Sequence, residues 1–209
     1  VVVIKVTPDE NYHVESVLIN GDDKTEECVS DAGYSLVVNE HLDIIAKFAI
    51  DSYSLNYSCN EEFGKMIVQK SNGDDVISGD LIPYNEKVTF TLQPAVRCYV
   101  ASVMIDGEEK MDEILTNKSF SLNITKETTV QVVYEAEKYS LTLANDTPKK
   151  GKLMVKRLSD DIELEDQSEI IYDEELLIAW LPEEGCELAE LWIKEGEDDE
   201  YDLIEAGLL

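Results

Sequence analysis

Residues 84–94 read YNEKVTFTLQP, in which Val88, Phe90 and Leu92 alternate with Lys87, Thr89, Thr91 and Gln93 until Pro94 stops the run. Alternation of this kind places successive side chains on opposite faces, so the stretch predicts a strand with one face in a core. Similar wording occurs at two other places. Residues 172–182 read YDEELLIAWLP and residues 2–8 read VVIKVTP. Tyr84 matches Tyr172, Glu86 matches Glu174, and Pro8, Pro94 and Pro182 close the three copies. A chance strand does not return three times with its terminating proline, so the chain reads as a repeat.

Displacing the chain on itself by 86 residues sets Val6, Pro8, Val14, Val17, Ile19 and Gly21 on Leu92, Pro94, Val100, Val103, Ile105 and Gly107. Tyr34, Leu36, Ala46 and Phe48 fall on Phe120, Leu122, Val132 and Tyr134, and Tyr53 and Leu55 on Tyr139 and Leu141, without a gap. The displacement becomes 87 at Gly64 and Gly151, then 88 at Tyr84 and Tyr172, Cys98 and Cys186, and Ile105 and Ile193. Small insertions in turns account for that drift.

Within the one complete copy, period-two patterning predicts strands over residues 53–59, 65–70, 86–94, 99–106, 119–124 and 128–135. β-branched and aromatic residues fill these runs. Between them, NGDD and DGEE are turn chemistry, because Asn, Asp and Gly tolerate positive φ. A polar loop is expected between residue 70 and the strand at 86. Residues 108–115 and 198–207 are the helical candidates and allow a turn or two at most. Val88, Phe90, Leu92, Val103, Ile105, Leu122, Val130 and Val132 are the expected core, and their counterparts in the other copies are expected to be buried too.

The chain therefore divides into residues 1–51, a partial module carrying closing strands only; residues 52–137, a complete module; and residues 138–209, a module lacking its last strands. Its start inside the apolar run VVVIKV is that of a mature or excised fragment. The incomplete ends are expected to be covered by adjacent repeats or another chain. Head-to-tail completion between copies is disfavoured, because the third and fourth strands occur in both halves and would compete for one place.

These landmarks resemble the internalin-B-type B-repeat family of bacterial surface proteins. That family's unit opens with an aromatic strand and a Gly-containing turn, continues through a tyrosine-led strand ending in proline, and closes on an apolar strand. YSLNYSC, GKMIV, YNEKVTFTLQPAVRCYVASVMIDG, SFSLNI and TTVQVVYE follow that order here. The family's GY after the proline is Asn11 and Tyr12, Arg97 and Cys98, and Gly185 and Cys186 in the three copies, and its Trp is Val17, Val103 and Leu191. The resemblance implies an all-β fold, with tandem β-grasp-like or small sandwich modules of about 86 residues in an elongated array. It also implies an extracellular protein of the bacterial surface, a stalk, spacer or adhesive module contacting protein or glycan, and no enzyme activity.

Charge narrows the partners. Seventeen Lys and Arg against 46 Asp and Glu give a net charge of −29, which repels a phosphate backbone and an anionic membrane surface. Residues 159–205 hold 20 carboxylates and one base, Lys194. No apolar run is long enough to span a membrane. No catalytic, cofactor or metal residue is assigned. Cys28, Cys59, Cys98 and Cys186 are unclustered, and with only His13 and His41 beside them they lack zinc spacing. Cys98 and Cys186 are two copies of one position and are not expected to bridge; Cys59 with Cys98 stays open. The acidic turns at 21–23, 73–75 and 196–200 lack the alternating spacing of a calcium loop. Asn56, Asn117, Asn123 and Asn145 begin N-x-S/T triplets, which the implied bacterial origin makes incidental. Tyr53, Tyr57, Tyr84 and Tyr139 offer sugar-stacking rings, but three of them recur at repeat positions, which favours packing. Two rival readings remain: a carbohydrate-binding part of a surface nutrient-capture lipoprotein, and the non-catalytic tail of a larger secreted enzyme.

Overall fold

The computed structural model describes residues 1–111, 118–146, 148–195 and 199–202. The fold is all-β. The chain forms two compact units, Val1–Glu135 and Ala136–Leu209.

The first unit opens with β1 (Val2–Ile4), β2 (Tyr12–Ile19), β3 (Asp22–Asp23), a five-residue helix α1 (Thr25–Val29), β4 (Tyr34–Leu36) and β5 (Ile44–Ile50). It continues with β6 (Ser52–Cys59), β7 (Gly64–Lys70), β8 (Asp80–Pro83), β9 (Glu86–Pro94), β10 (Cys98–Ile105), β11 (Glu108–Glu109), β12 (Ser119–Ile124) and β13 (Thr128–Ala136). From β6 onward the strands sort into a five-stranded sheet, β11-β10-β13-β6-β8, and a three-stranded sheet, β12-β9-β7. Both sheets feed one core, which includes Leu55, Ile82, Val103, Val130 and Tyr134 from the first and Val68, Val88, Phe90 and Ile124 from the second. Of the two arrangements expected, this is the small sandwich. Phe90, fully buried, and Phe120, half-buried, stack in parallel with ring centroids 4.8 Å apart.

Alternation explains the layering. Along β13, Thr128, Val130, Val132, Tyr134 and Ala136 are buried and the residues between them exposed. β13 lies parallel to β6, with Thr128 opposite Leu55 and Val132 opposite Cys59. A parallel pair needs a long crossover, and the chain makes one by visiting the other sheet in between.

The earlier strands form two smaller sheets, β3-β2-β5 and β1-β4. Their registers match those found 86 residues later. Val2 pairs with Leu36 and Ile4 with Tyr34, as Val88 pairs with Leu122 and Phe90 with Phe120. Asn20 and Gly21, both at positive φ, turn β2 into β3; Asp106 and Gly107 do the same between β10 and β11. Positive φ at both central residues is what a two-residue hairpin of matching twist requires. The Asp43 amide donates to the Asn20 side chain, and the Thr129 amide to that of Asp106, both at 2.8 Å.

The second unit contains β14 (Lys138–Ser140), β15 (Gly151–Arg157), β16 (Glu163–Leu164), β17 (Glu169–Ile171), β18 (Leu176–Pro182), β19 (Trp192–Glu195) and β20 (Asp199–Asp202). Tyr139 pairs with Ile170 as Tyr53 pairs with Ile82, and Val155 with Ile178 as Val68 with Phe90. Its buried apolar side chains include Val155 and Leu164, which face each other between β15 and β16.

Several expectations need correction. The loop before residue 86 contains β8, whose Ile82 is fully buried; four residues are too few to display a period. Ile105 and Leu122 are half-buried, because Ile105 ends β10 at its turn and Leu122 lies on an outer strand. Val2, Ile44 and Ala46, counterparts of buried Val88, Val130 and Val132, are exposed, and among the described residues no strand lies beside the outer edge of β1 or β5. Residues 108 and 109 are strand, Met111 is helical, and the stretch 112–117, including Asn117, lies outside the described residues. Within 198–207, Asp199–Asp202 pairs with β19 as a strand. A helix over 198–207 would set the carboxylates of Asp198 and Asp202 four positions apart, a repulsive spacing. Residues 198 and 203–207 lie outside the described set.

Candidate functional site

The chemistry-bearing residues singled out in the sequence do not converge. His13 is exposed on β2, its Nδ1 2.9 Å from a carboxylate oxygen of Asp51, and His41 is exposed in the segment before β5. The four cysteines are free thiols, so the pairing of Cys59 with Cys98 is not formed. Burial pushes the thiols of Cys28 and Cys59 up, which keeps them protonated and unreactive near neutral pH. The acidic turns at 21–23 and 73–75 use their carboxylates locally, and the side chains of 196–200 lie outside the described set. Asp23 Oδ1 accepts the amide and hydroxyl of Thr25 at 2.9 and 2.6 Å, and the Thr25 hydroxyl bond is the chief reason its carboxyl titrates below the usual range. Asp74 accepts from Asn72, and Asp75 from Gln69. Among the described residues no group of three or more metal-type side chains gathers.

The aromatics divide. Tyr53 and Tyr57 pack against the core, and the Tyr57 hydroxyl donates to the Val76 carbonyl at 2.6 Å. Tyr53 and Tyr84 meet edge to face at 6.5 Å. Tyr139 and Tyr172, their counterparts in the second unit, are exposed. A cavity of about 200 Å³ lies among Leu92, Pro94, Cys98, Val100 and Met111. It is below the roughly 300–1,000 Å³ of small-molecule sites.

The feature that stands out is an open strand edge. β5 is the outer strand of β3-β2-β5, whereas β13, at the matching position, is enclosed between β10 and β6. Ile44, Ile45, Phe48 and Ile50 are exposed along β5, and Val2 and Val3 along β1. The contrast is sharpest at one pair: Phe48 is 47% exposed and Tyr134 is 0% exposed. Such an edge presents unpaired backbone amides and carbonyls beside apolar side chains, a template for another strand.

What fills the matching place in residues 52–137 shows how the edge can be read. β6 covers the β13 edge, and Asn60, just past its end, brackets Tyr134. The Asn60 side-chain Nδ2 donates to the Tyr134 carbonyl, and its Oδ1 accepts the Tyr134 N–H, both at 2.8 Å. The Tyr134 ring lies over Gly64, where a Cβ would come within 2.8 Å of the ring, and its hydroxyl donates to the Lys65 carbonyl at 2.7 Å. Burial pushes that hydroxyl up to about 12. The clamp joins residues 74 apart. The sequence analysis missed it, and an asparagine at a strand end carries no signal of so distant a partner.

Neither family models, nor curated proteins, nor solved structures match the chain.

Proposed function

We propose that the chain is a tandem set of one β module and that it serves as a non-enzymatic stalk, spacer or adhesive segment on a bacterial surface. The observation that carries this reading is the recurrence of strand registers at the sequence displacement: Val2 with Leu36 and Val88 with Leu122, Tyr53 with Ile82 and Tyr139 with Ile170. Repeated modules of this kind set distance or multiply a contact surface. The charge of −29 suits a highly solvated, mutually repelling exterior. The resemblance to B-repeats supplies the surface location. Antibodies against residues 1–135 should label intact, unpermeabilised cells of the source bacterium, and protease applied outside those cells should remove the label. Labelling only after lysis counts against the surface role.

A second reading, glycan binding, is favoured by the exposure of Tyr139 and Tyr172. Calorimetric titration with surface oligosaccharides, compared between the chain and Tyr139→Ala, separates the two. Heat that disappears in the variant supports glycan binding, and no heat supports the spacer.

A further inference from the structure

The tetrapeptide Asn-Gly-Asp-Asp occurs twice, at residues 20–23 and 72–75, so the sequence gives both copies the same intrinsic chemistry. An asparagine before glycine can cyclise. The glycine backbone nitrogen, deprotonated by hydroxide, attacks the asparagine Cγ; the Cγ–Nδ2 bond breaks, ammonia departs and a succinimide remains. Water then opens the ring, giving aspartate by cleavage at Cγ or isoaspartate by cleavage at the main-chain carbonyl. In sum, one amide and one water become one carboxylate and one ammonium ion. The structure separates the two copies. The glycines themselves are alike, with φ of +88° and +89° and nothing within 4 Å of an added Cβ. Each asparagine Oδ1 accepts a backbone amide, from Asp43 at 2.8 Å and from Asp74 at 2.9 Å, and such a donor stabilises the oxyanion formed on attack in both. The nitrogens differ. The Gly73 N–H donates to the Lys70 carbonyl at 3.0 Å, and Asn72 Nδ2 donates to the Asp74 carboxylate at 2.7 Å. Those bonds hold the attacking and leaving nitrogens and set a negative charge beside the carbon where negative charge would build up. The Gly21 N–H has no hydrogen-bond partner among the described residues, and Asn20 Nδ2 reaches the His41 carbonyl at 3.5 Å, the outer limit of a hydrogen bond.

We propose that Asn20 is a site of self-modification, cyclising with Gly21 and converting to aspartate and isoaspartate, whereas Asn72 in the same tetrapeptide is protected by its turn. The aspartate product has a counterpart in the chain. Asp106 stands at the matching hairpin position, before Gly107, and its carboxylate accepts the Thr129 amide at 2.8 Å as Asn20 accepts that of Asp43. Lys126 also pairs with Asp106, at 2.7 Å, and Glu40 takes its matching place in the sequence. Aspartate at position 20 thus keeps the amide donor without that cation. Isoaspartate has no such counterpart. It lengthens the main chain by one carbon in the two-residue turn that sets Leu18 opposite Asp23 and Ile19 opposite Asp22.

The test is to hold the whole chain in mildly alkaline buffer, with a parallel sample in urea, and to follow by peptide mass spectrometry the gain of one mass unit at each asparagine. In the folded chain the peptide holding Asn20 is expected to convert several-fold faster than the peptide holding Asn72. In urea, where both tetrapeptides meet the same surroundings, the two rates should converge. Equal rates in the folded chain, faster conversion at Asn72, or an Asn20 that stays intact while the urea sample converts each overturns the proposal. A rate difference that persists unchanged in urea overturns it too, because structure then does not set it. Fragment ions that show isoaspartate beside aspartate at position 20 support the succinimide route, whereas aspartate alone marks direct hydrolysis and overturns cyclisation.

Discussion

Phe90 is fully buried and stacked on Phe120, so its truncation leaves a void that the surrounding strands cannot close. Phe90→Ala is expected to cost about 3–5 kcal/mol, read from urea unfolding of the chain. A loss below about 1 kcal/mol would mean that the ring is not in a packed core. Tyr134 adds a pH signature. Its hydroxyl is held neutral by burial, with the ordinary value of 10.0 pushed up to about 12. The folded state therefore keeps its proton where the unfolded chain has lost it. Stability from this group is complete below pH 10 and declines as pH rises toward about 12. Far-ultraviolet circular dichroism through that range should show alkaline unfolding that is shallower in Tyr134→Phe. Equal slopes in both proteins contradict the assignment. The core positions legible in the sequence were those on long alternating runs, such as Val88, Phe90 and Leu92. Ile82 was not among them, because it lies on a four-residue strand; Tyr134 continues the alternation of Val130 and Val132 and was legible by the same rule, though it was not named.

At the scale of elements, period two located β6, β7, β9, β10, β12 and β13 to within about a residue at each end. That succeeded because each presents one face to a core, and one face to a core is what alternation encodes. Sheet membership was not encoded. The chain switches sheets at nearly every connection, and no local pattern states which strand lies beside which. The parallel pairing of β6 with β13 is the clearest case. Asn60 fixes its far end through two main-chain hydrogen bonds, so Asn60→Ala leaves the Tyr134 N–H and C=O without those partners. The expected cost is about 1–3 kcal/mol. Hydrogen exchange should quicken first at the Tyr134 amide, and unchanged exchange there would show that the clamp does not hold the strand. The candidate edge on β5 was legible in outline, since the sequence reading expected only closing strands in residues 1–51. Its chemistry was not, because exposure of Phe48 follows from what is missing beside it, not from its neighbours in sequence.

For the whole molecule, charge and modularity give separate expectations. A net charge of −29 opposes any compact state through self-repulsion. Raising sodium chloride from about 0.01 to about 0.15 M shortens the screening length from about 30 to about 8 Å. The thermal midpoint should rise with that change, and a fall would show that attractive ion pairs dominate instead. Modularity is the central claim, and residues 52–137 are its most direct test, because they hold both sheets and the arch that closes them. The decisive measurement is equilibrium unfolding of that segment expressed by itself, with its amide spectrum compared to the same residues in the whole chain. The account predicts one cooperative transition and amide shifts for β6 through β13 that match those of the whole chain. A segment that is unfolded by itself, and gains structure only when residues 1–51 are restored, would contradict the claim that the chain is built from copies of one self-sufficient module.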